Sequence, residues 1–164
     1  KLLWFNKHYL DSMSDEKLTN KISNNEFDGG DYSNNVLMAI RERCSTLNDF
    51  VVHSSYFFND PKIFEDTLIK KHCKEGTHGY LSLLKSYLSE LETWDQISIK
   101  ETIEKTIAEL EVGFGKIGLP LRLALTATVN SPSIDLVCEI LGKDIVLKRL
   151  ENFLTIIQSQ EKDL

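Results

Sequence analysis

Leu81, Leu84, Leu88 and Leu91 recur at spacings of three and four, with Tyr80 and Tyr87 beside them. That spacing predicts an amphipathic helix, because it places the apolar side chains on one stripe of a 3.6-residue turn. Thr102, Ile103, Ile107, Leu110 and Glu111 trace a second helical segment. Ser98 with Glu101 three residues on reads as a capping box that starts it, and Gly113 as its end. Val146, Leu150, Phe153 and Ile157 share one face of a helix near the C-terminus, set off by Gly142 from the helix before it. Ser131-Pro132 is a helix-start signal: Ser suits the N-cap, and Pro suits the first turn, where its missing N–H is not needed. Pro61 after Asp60 and Pro120 after Leu119 read the same way. Leu119, Leu121, Leu123 and Leu125 alternate strictly, which is a strand signal. The helical surroundings and Pro120 favour a helix there, with a strand as the alternative.

The polar stretch Ser23-Asn24-Asn25-Glu26-Phe27-Asp28-Gly29-Gly30-Asp31 reads as a loop between helices. A second break at Phe58-Asn59-Asp60-Pro61 marks a domain boundary. The predicted fold is therefore all-α, with two packed helical subdomains at 1–60 and 61–164. The first carries 6 basic and 9 acidic residues and the second 13 and 16, so each has a net charge of −3.

Composition removes several classes. The 164 residues contain no apolar run near the ~20 needed to span a bilayer, and nothing resembling a secretory signal follows Lys1. The chain starts with Lys inside an apparent helix, as a fragment would. Cys44, Cys73 and Cys138 cannot form a closed disulfide framework, which fits a reducing compartment. The net charge of −6 argues against a protein that wraps nucleic acid over its whole surface.

Candidate chemistry is sparse. Gly113, Gly115 and Gly118 spell G-x-G-x-x-G, but a dinucleotide fingerprint needs a strand before it, and the segment before Gly113 reads as helix. His8, His53, His72 and His78 have no metal-ligand spacing. Asp28-Gly29-Gly30-Asp31 lacks the alternating oxygen ligands of a calcium loop, and the carboxylates of Glu101, Glu104 and Glu109 suit a solvated helix face. No catalytic residue and no metal site is predicted. One window differs: between Glu111 and Asp135 an acidic chain has no acidic residue at all. That window holds Lys116, Arg122, Thr126, Thr128, Asn130, Ser131 and Ser133 and the helix start at Pro132. Positive charge, hydroxyls and a helix N-terminus suit RNA phosphates and base edges, although a neutral packed turn has the same composition.

The same window carries a resemblance. The run Glu109-Leu110-Glu111-Val112-Gly113-Phe114-Gly115-Lys116-Ile117-Gly118-Leu119-Pro120-Leu121-Arg122 resembles the C-terminal part of the bacterial glutamyl-tRNA synthetase family. Leu125-Thr126, Ser131-Pro132 and Leu141-Gly142-Lys143 continue it. Lys1-Leu2-Leu3-Trp4-Phe5-Asn6 with Tyr9-Leu10, and Glu42-Arg43-Cys44 with Thr46-Leu47, resemble earlier segments in the same order.

The resemblance implies a helical anticodon-binding region of a class I aminoacyl-tRNA synthetase, a ligase that attaches glutamate to its tRNA with ATP and Mg. Neither of the family's ATP signature motifs is present. It thus implies no cofactor in this chain, with catalysis in an N-terminal domain of the same polypeptide. Its implied partner is the anticodon loop of the glutamate tRNA, in the cytoplasm, with no DNA or membrane partner. The two subdomains, 1–60 and 61–164, would both bind the anticodon. By resemblance Arg43 reads the third anticodon base. Cytosine presents two adjacent acceptors that a planar guanidinium can meet, whereas guanine presents donors. Arg122 would contact the first base, with Ser131, Pro132 and Ile134 packing on the loop and Lys116 and Thr126 contacting RNA backbone. Ala127 and Ser133 depart from the family, which commonly has Gly at the first and Gly or Ala at the second. A helical protein-interaction module, or a stand-alone tRNA-binding regulator without catalysis, is the alternative.

Overall fold

A computed structural model describes residues 2–22 and 26–162, so Ser23, Asn24 and Asn25 of the predicted loop lie outside the described residues. All regular structure among the described residues is helical. The chain divides into two compact units, Lys1–Asn59 and Asp60–Leu164.

The first unit contains α1 (Leu2–Asp11), α2 (Asp15–Lys21), α3 (Asp31–Ile40), a 3-10 turn (Arg41–Arg43) and α4 (Leu47–Phe58). Its core joins Leu10, Leu18, Val36, Leu37, Ile40, Phe50 and Phe57, all buried. Burying such side chains contributes about 1.5–3 kcal/mol each. Ser14 caps α2 by accepting from the Lys17 N–H. Thr46 caps α4 in a full capping box with Asp49, which the Thr-x-x-Asp spacing encodes. Helix α1 is different: Leu10 is its one buried residue, while Leu2, Leu3, Trp4, Phe5 and Tyr9 are exposed, Leu2 by 87%.

The second unit contains α5 (Asp66–His72), α6 (Thr77–Glu90), α7 (Gln96–Glu109), a 3-10 turn (Phe114–Lys116), α8 (Gly118–Thr126), α9 (Ile134–Leu141) and α10 (Lys143–Lys162). Leu81, Leu84 and Leu88 of α6 face Val146, Leu150, Phe153 and Ile157 of α10 across the core. The α6 stripe stops at Leu88, because Leu91 is the residue at which the helix ends. Lys143 closes that end by donating from Nζ to the Leu91 carbonyl at 2.7 Å. Gly142 takes φ +84 between α9 and α10, a backbone conformation that costs glycine little.

The Leu119–Leu125 alternation is helical. Pro120, Leu121, Leu123, Ala124 and Leu125 of α8 are all buried, so this helix is apolar on most of its circumference and alternation carries no strand information there. Pro120 sits in its first turn, as the sequence suggests. Three other start signals fall elsewhere. Helix α7 begins earlier than Ser98–Glu101 indicates, because the Asp95 carboxylate accepts from the Ser98 N–H at 2.7 Å and takes the cap. Its end also comes before Gly113: the helix stops at Glu109 and Glu111 takes φ +52. Helix α9 begins at Ile134, after Ser131-Pro132, because Ser131 faces inward toward Arg122 instead of capping. After Pro61 no helix forms until α5 starts at Asp66.

Candidate nucleic-acid interface

In the first unit, Arg43 is exposed at the end of the 3-10 turn. Its neighbour Cys44 is fully buried and donates from Sγ to the Ile40 carbonyl. Burial pushes the Cys44 thiol up to about 12, so it is a neutral packing group at physiological pH. The turn itself is held on several sides. Lys7 Nζ donates to the Glu42 carbonyl at 2.8 Å, and Asn6 Nδ2 to the Ser45 carbonyl at 2.8 Å. The Asp49 carboxylate accepts from both the Ser45 and Thr46 N–H groups at 2.8 Å. Although burial opposes its charge, these bonds hold the Asp49 carboxyl below its usual range. Arg41 is anchored within its own unit. Its guanidinium pairs with Asp15 and donates to the carbonyls of Leu10, Asp11 and Met13. That places a cation at the C-terminus of α1, where the helix dipole favours it. Of the two arginines of Arg41-Glu42-Arg43, Arg41 is half-buried and Arg43 is exposed.

In the second unit, Arg122, Ser131 and Pro132 come together. Arg122 Nη1 donates to the Ser131 carbonyl at 2.8 Å, and also to Ser131 Oγ and the Pro132 carbonyl. The half-buried guanidinium therefore ties α8 to the turn that leads into α9. Thr126 adds to the same turn: its Oγ1 lies 2.8 Å from the Arg122 carbonyl and accepts from the Thr128 N–H at 3.3 Å. Ser131 is 4% exposed, Thr126 5% and Ile134 3%, and Pro132 is also buried. These side chains shape the turn and fill the core under it, and in the chain alone they are not surface groups. Lys116 is exposed at the end of the second 3-10 turn. Ala127, where the family commonly has Gly, takes φ +53 in the left-handed region. Ser133 is exposed and precedes α9 without a side-chain cap bond.

Arg149 was not foreseen. It is 4% exposed on the apolar face of α10, donating to Asp60 from Nε at 3.0 Å and to the Leu125 carbonyl from Nη1 at 2.7 Å. Lys148 also reaches Asp60, at 2.7 Å. The hydrogen bonds from Lys148 and then Arg149 hold the Asp60 carboxyl below its usual range. The signal was present: one arginine between Val146 and Phe153 on an apolar stripe has to find a partner. Arg149 thereby fixes the C-terminal end of α8, one turn beyond Arg122.

The three glycines Gly113, Gly115 and Gly118 border the 3-10 turn and open α8, and the helix α7 stands where a nucleotide site needs a strand. Among the described residues no group of His, Cys, Asp or Glu is placed to hold a metal ion. No helix there is long and apolar enough to cross a membrane.

A family model described as an anticodon binding domain matches residues 6–154. Similar solved structures include a glutamate tRNA ligase from Elizabethkingia meningosepticum CCUG26117, in complex with its amino acid, at a TM-score of 0.83 and 24% identity. A glutamate-tRNA synthetase from Elizabethkingia anophelis is similar at a TM-score of 0.80 and 25% identity. In each case 93% of this chain is covered and 31% of the other, so the chain spans about a third of those relatives. The matched residues contain the turn that carries Arg43 and the turn tied by Arg122, and the chain belongs to the anticodon binding domain family.

Proposed function

We propose that this chain reads the anticodon of the glutamate tRNA, as the anticodon-binding part of a glutamyl-tRNA synthetase. The observation that carries the reading is an exposed arginine, Arg43, on a turn whose flanking backbone is hydrogen-bonded on three sides. A fork of donors on a fixed backbone suits the recognition of one unstacked base by its edge. Arg43 takes the third anticodon base, where cytosine distinguishes glutamate from glutamine tRNA. Arg122 takes the first, with Lys116 supplying charge to the RNA backbone, while the buried Ser131, Pro132, Ile134 and Thr126 shape the turn that holds Arg122. Both helical units take part in anticodon binding.

Glutamate activation with ATP and Mg belongs to a catalytic domain of the same polypeptide, and no step of it is assigned to residues of this chain. The exposed apolar side chains of α1 support the presence of such a further domain, since a surface of that kind is ordinarily covered. The cytoplasm is the compartment this activity implies.

The test measures binding of two anticodon stem-loops, identical except for C or G at the third anticodon position. The chain should prefer C, its affinity should fall steeply with salt, and Arg43→Gln should narrow the preference by about 1–3 kcal/mol, the scale of one bidentate base contact in DNA readout. Equal binding of both RNAs, or discrimination unchanged in Arg43→Gln, would overturn the reading. A salt-insensitive interaction would instead point to a helical protein-interaction module.

A further inference from the structure

We infer that Lys7 and Asn6 of α1 are positioning residues for Arg43, and that base discrimination depends on their hold on the turn's backbone. The inference rests on the proposed base-reading role of Arg43 and deepens it. Arg43 has Glu42 before it and Cys44 and Ser45 after it. The carbonyl of Glu42 accepts from Lys7 and that of Ser45 from Asn6, both at 2.8 Å, so the two bonds bracket Arg43 along the backbone.

Several other groups around the turn are engaged as well. The Cys44 N–H returns to the Arg41 carbonyl at 3.1 Å, the Cys44 side chain is in the core, and Asp49 holds the Ser45 and Thr46 N–H groups. The carbonyls of Glu42 and Ser45 face α1, and Lys7 and Asn6 are the groups that meet them. The other partner of Lys7 is Asp11 at 3.8 Å, an exposed and long pair that competes little.

A base-reading fork must stand within a fraction of an ångström of its acceptors, and a loose backbone under it loses selectivity before it loses general attraction. The lysine ammonium offers its charge to the RNA as well, but a phosphate contact strengthens both RNAs alike. Position and charge are therefore separable by the ratio of the two affinities.

The experiment compares the same C and G stem-loops on the chain and on Lys7→Met, Lys7→Arg, Asn6→Ala, Arg43→Gln and the Lys7→Met, Arg43→Gln double variant. Helicity is checked by circular dichroism. Lys7→Met should lower the C-to-G affinity ratio about fivefold, the equivalent of one hydrogen bond, and Asn6→Ala should lower it too. Lys7→Arg should restore most of the ratio, because it can still donate to the Glu42 carbonyl. In the Arg43→Gln background Lys7→Met should leave the ratio where it is. An equal loss for both RNAs in Lys7→Met makes Lys7 a phosphate contact or a stability residue and overturns the inference, as does an unchanged ratio in both Lys7→Met and Asn6→Ala while Arg43→Gln still narrows it. If Arg43→Gln itself leaves the ratio unchanged, the base-reading assignment falls and this inference falls with it.

Discussion

The ring of Phe114 lies over Gly118 so closely that a Cβ on Gly118 would fall 2.4 Å from two ring carbons. The last glycine of Gly113-x-Gly115-x-x-Gly118 is thus explained by packing: it lets the aromatic ring of the 3-10 turn rest on the first residue of α8. Phe114 is itself 51% exposed, so the ring has somewhere to go. Gly118→Ala should displace it and cost about 1 kcal/mol, at the low end of overpacking penalties. In a Phe114→Ala background the same substitution should instead stabilise by about 0.5–1 kcal/mol, because alanine has less freedom to lose on folding. Chemical denaturation of the four proteins of that cycle measures the coupling.

Asp60 and Arg149 make a second testable pair. Arg149 is nearly fully buried, so Asp60→Asn leaves a charge held by the Leu125 carbonyl and its remaining contacts alone. We expect a loss of about 2 kcal/mol, below the cost of a fully buried broken pair because Asp60 is partly exposed. The pH dependence has a definite sign. The folded-state carboxyl of Asp60 titrates lower than in the unfolded chain, so its contribution is present above an unfolded value of about 3.9 and disappears as pH falls through the folded one. Urea titrations on a pH series should show a shallower acid loss for Asp60→Asn than for the parent chain.

Thr46 should be worth about 1 kcal/mol as the cap of α4, so Thr46→Ala lowers the unfolding free energy of the first unit by that amount in a denaturant titration. The Asp49 carboxylate keeps its bond to the Ser45 N–H in that variant. Thr46→Ser retains the hydroxyl and should recover most of the loss in the same titration.

Ala127→Gly should stabilise the second unit. Left-handed backbone costs a non-glycine residue about 1–2 kcal/mol, and the added freedom of glycine in the unfolded chain returns about 0.5–1 of it. A net gain of about 0.5 kcal/mol is expected, read as a rise in thermal midpoint. Unchanged or lower stability would mean that the Ala127 methyl makes packing contacts that outweigh its φ of +53.

Much of this fold was legible because helices announce themselves by period. Leu81, Leu84 and Leu88, and Val146, Leu150, Phe153 and Ile157, all reach the core. Starts were less legible because a cap is decided by which side chain has competing work. Ser131 resembles a cap but is bonded to Arg122, and Ser98 receives a cap from Asp95. Among the sites, the exposure of Arg43 follows from a polar turn, but its brackets do not: Lys7 and Asn6 act across 35 and 39 residues of sequence. Nor does the sequence distinguish Arg41 from Arg43. Only the packed structure shows that Arg41 is anchored at the end of α1 while Arg43 is exposed.

The cysteines have a consequence for handling the protein. Cys44 and Cys138 are buried, and burial raises both thiols well above their ordinary value. Thiolate is the reactive form, so at neutral pH an oxidant or an alkylating probe meets Cys73, which is half-buried, long before the other two. A chain with one such thiol can be cross-linked to one other copy but cannot build a disulfide ladder. A fluorophore on Cys73 would report on the second unit without entering either core.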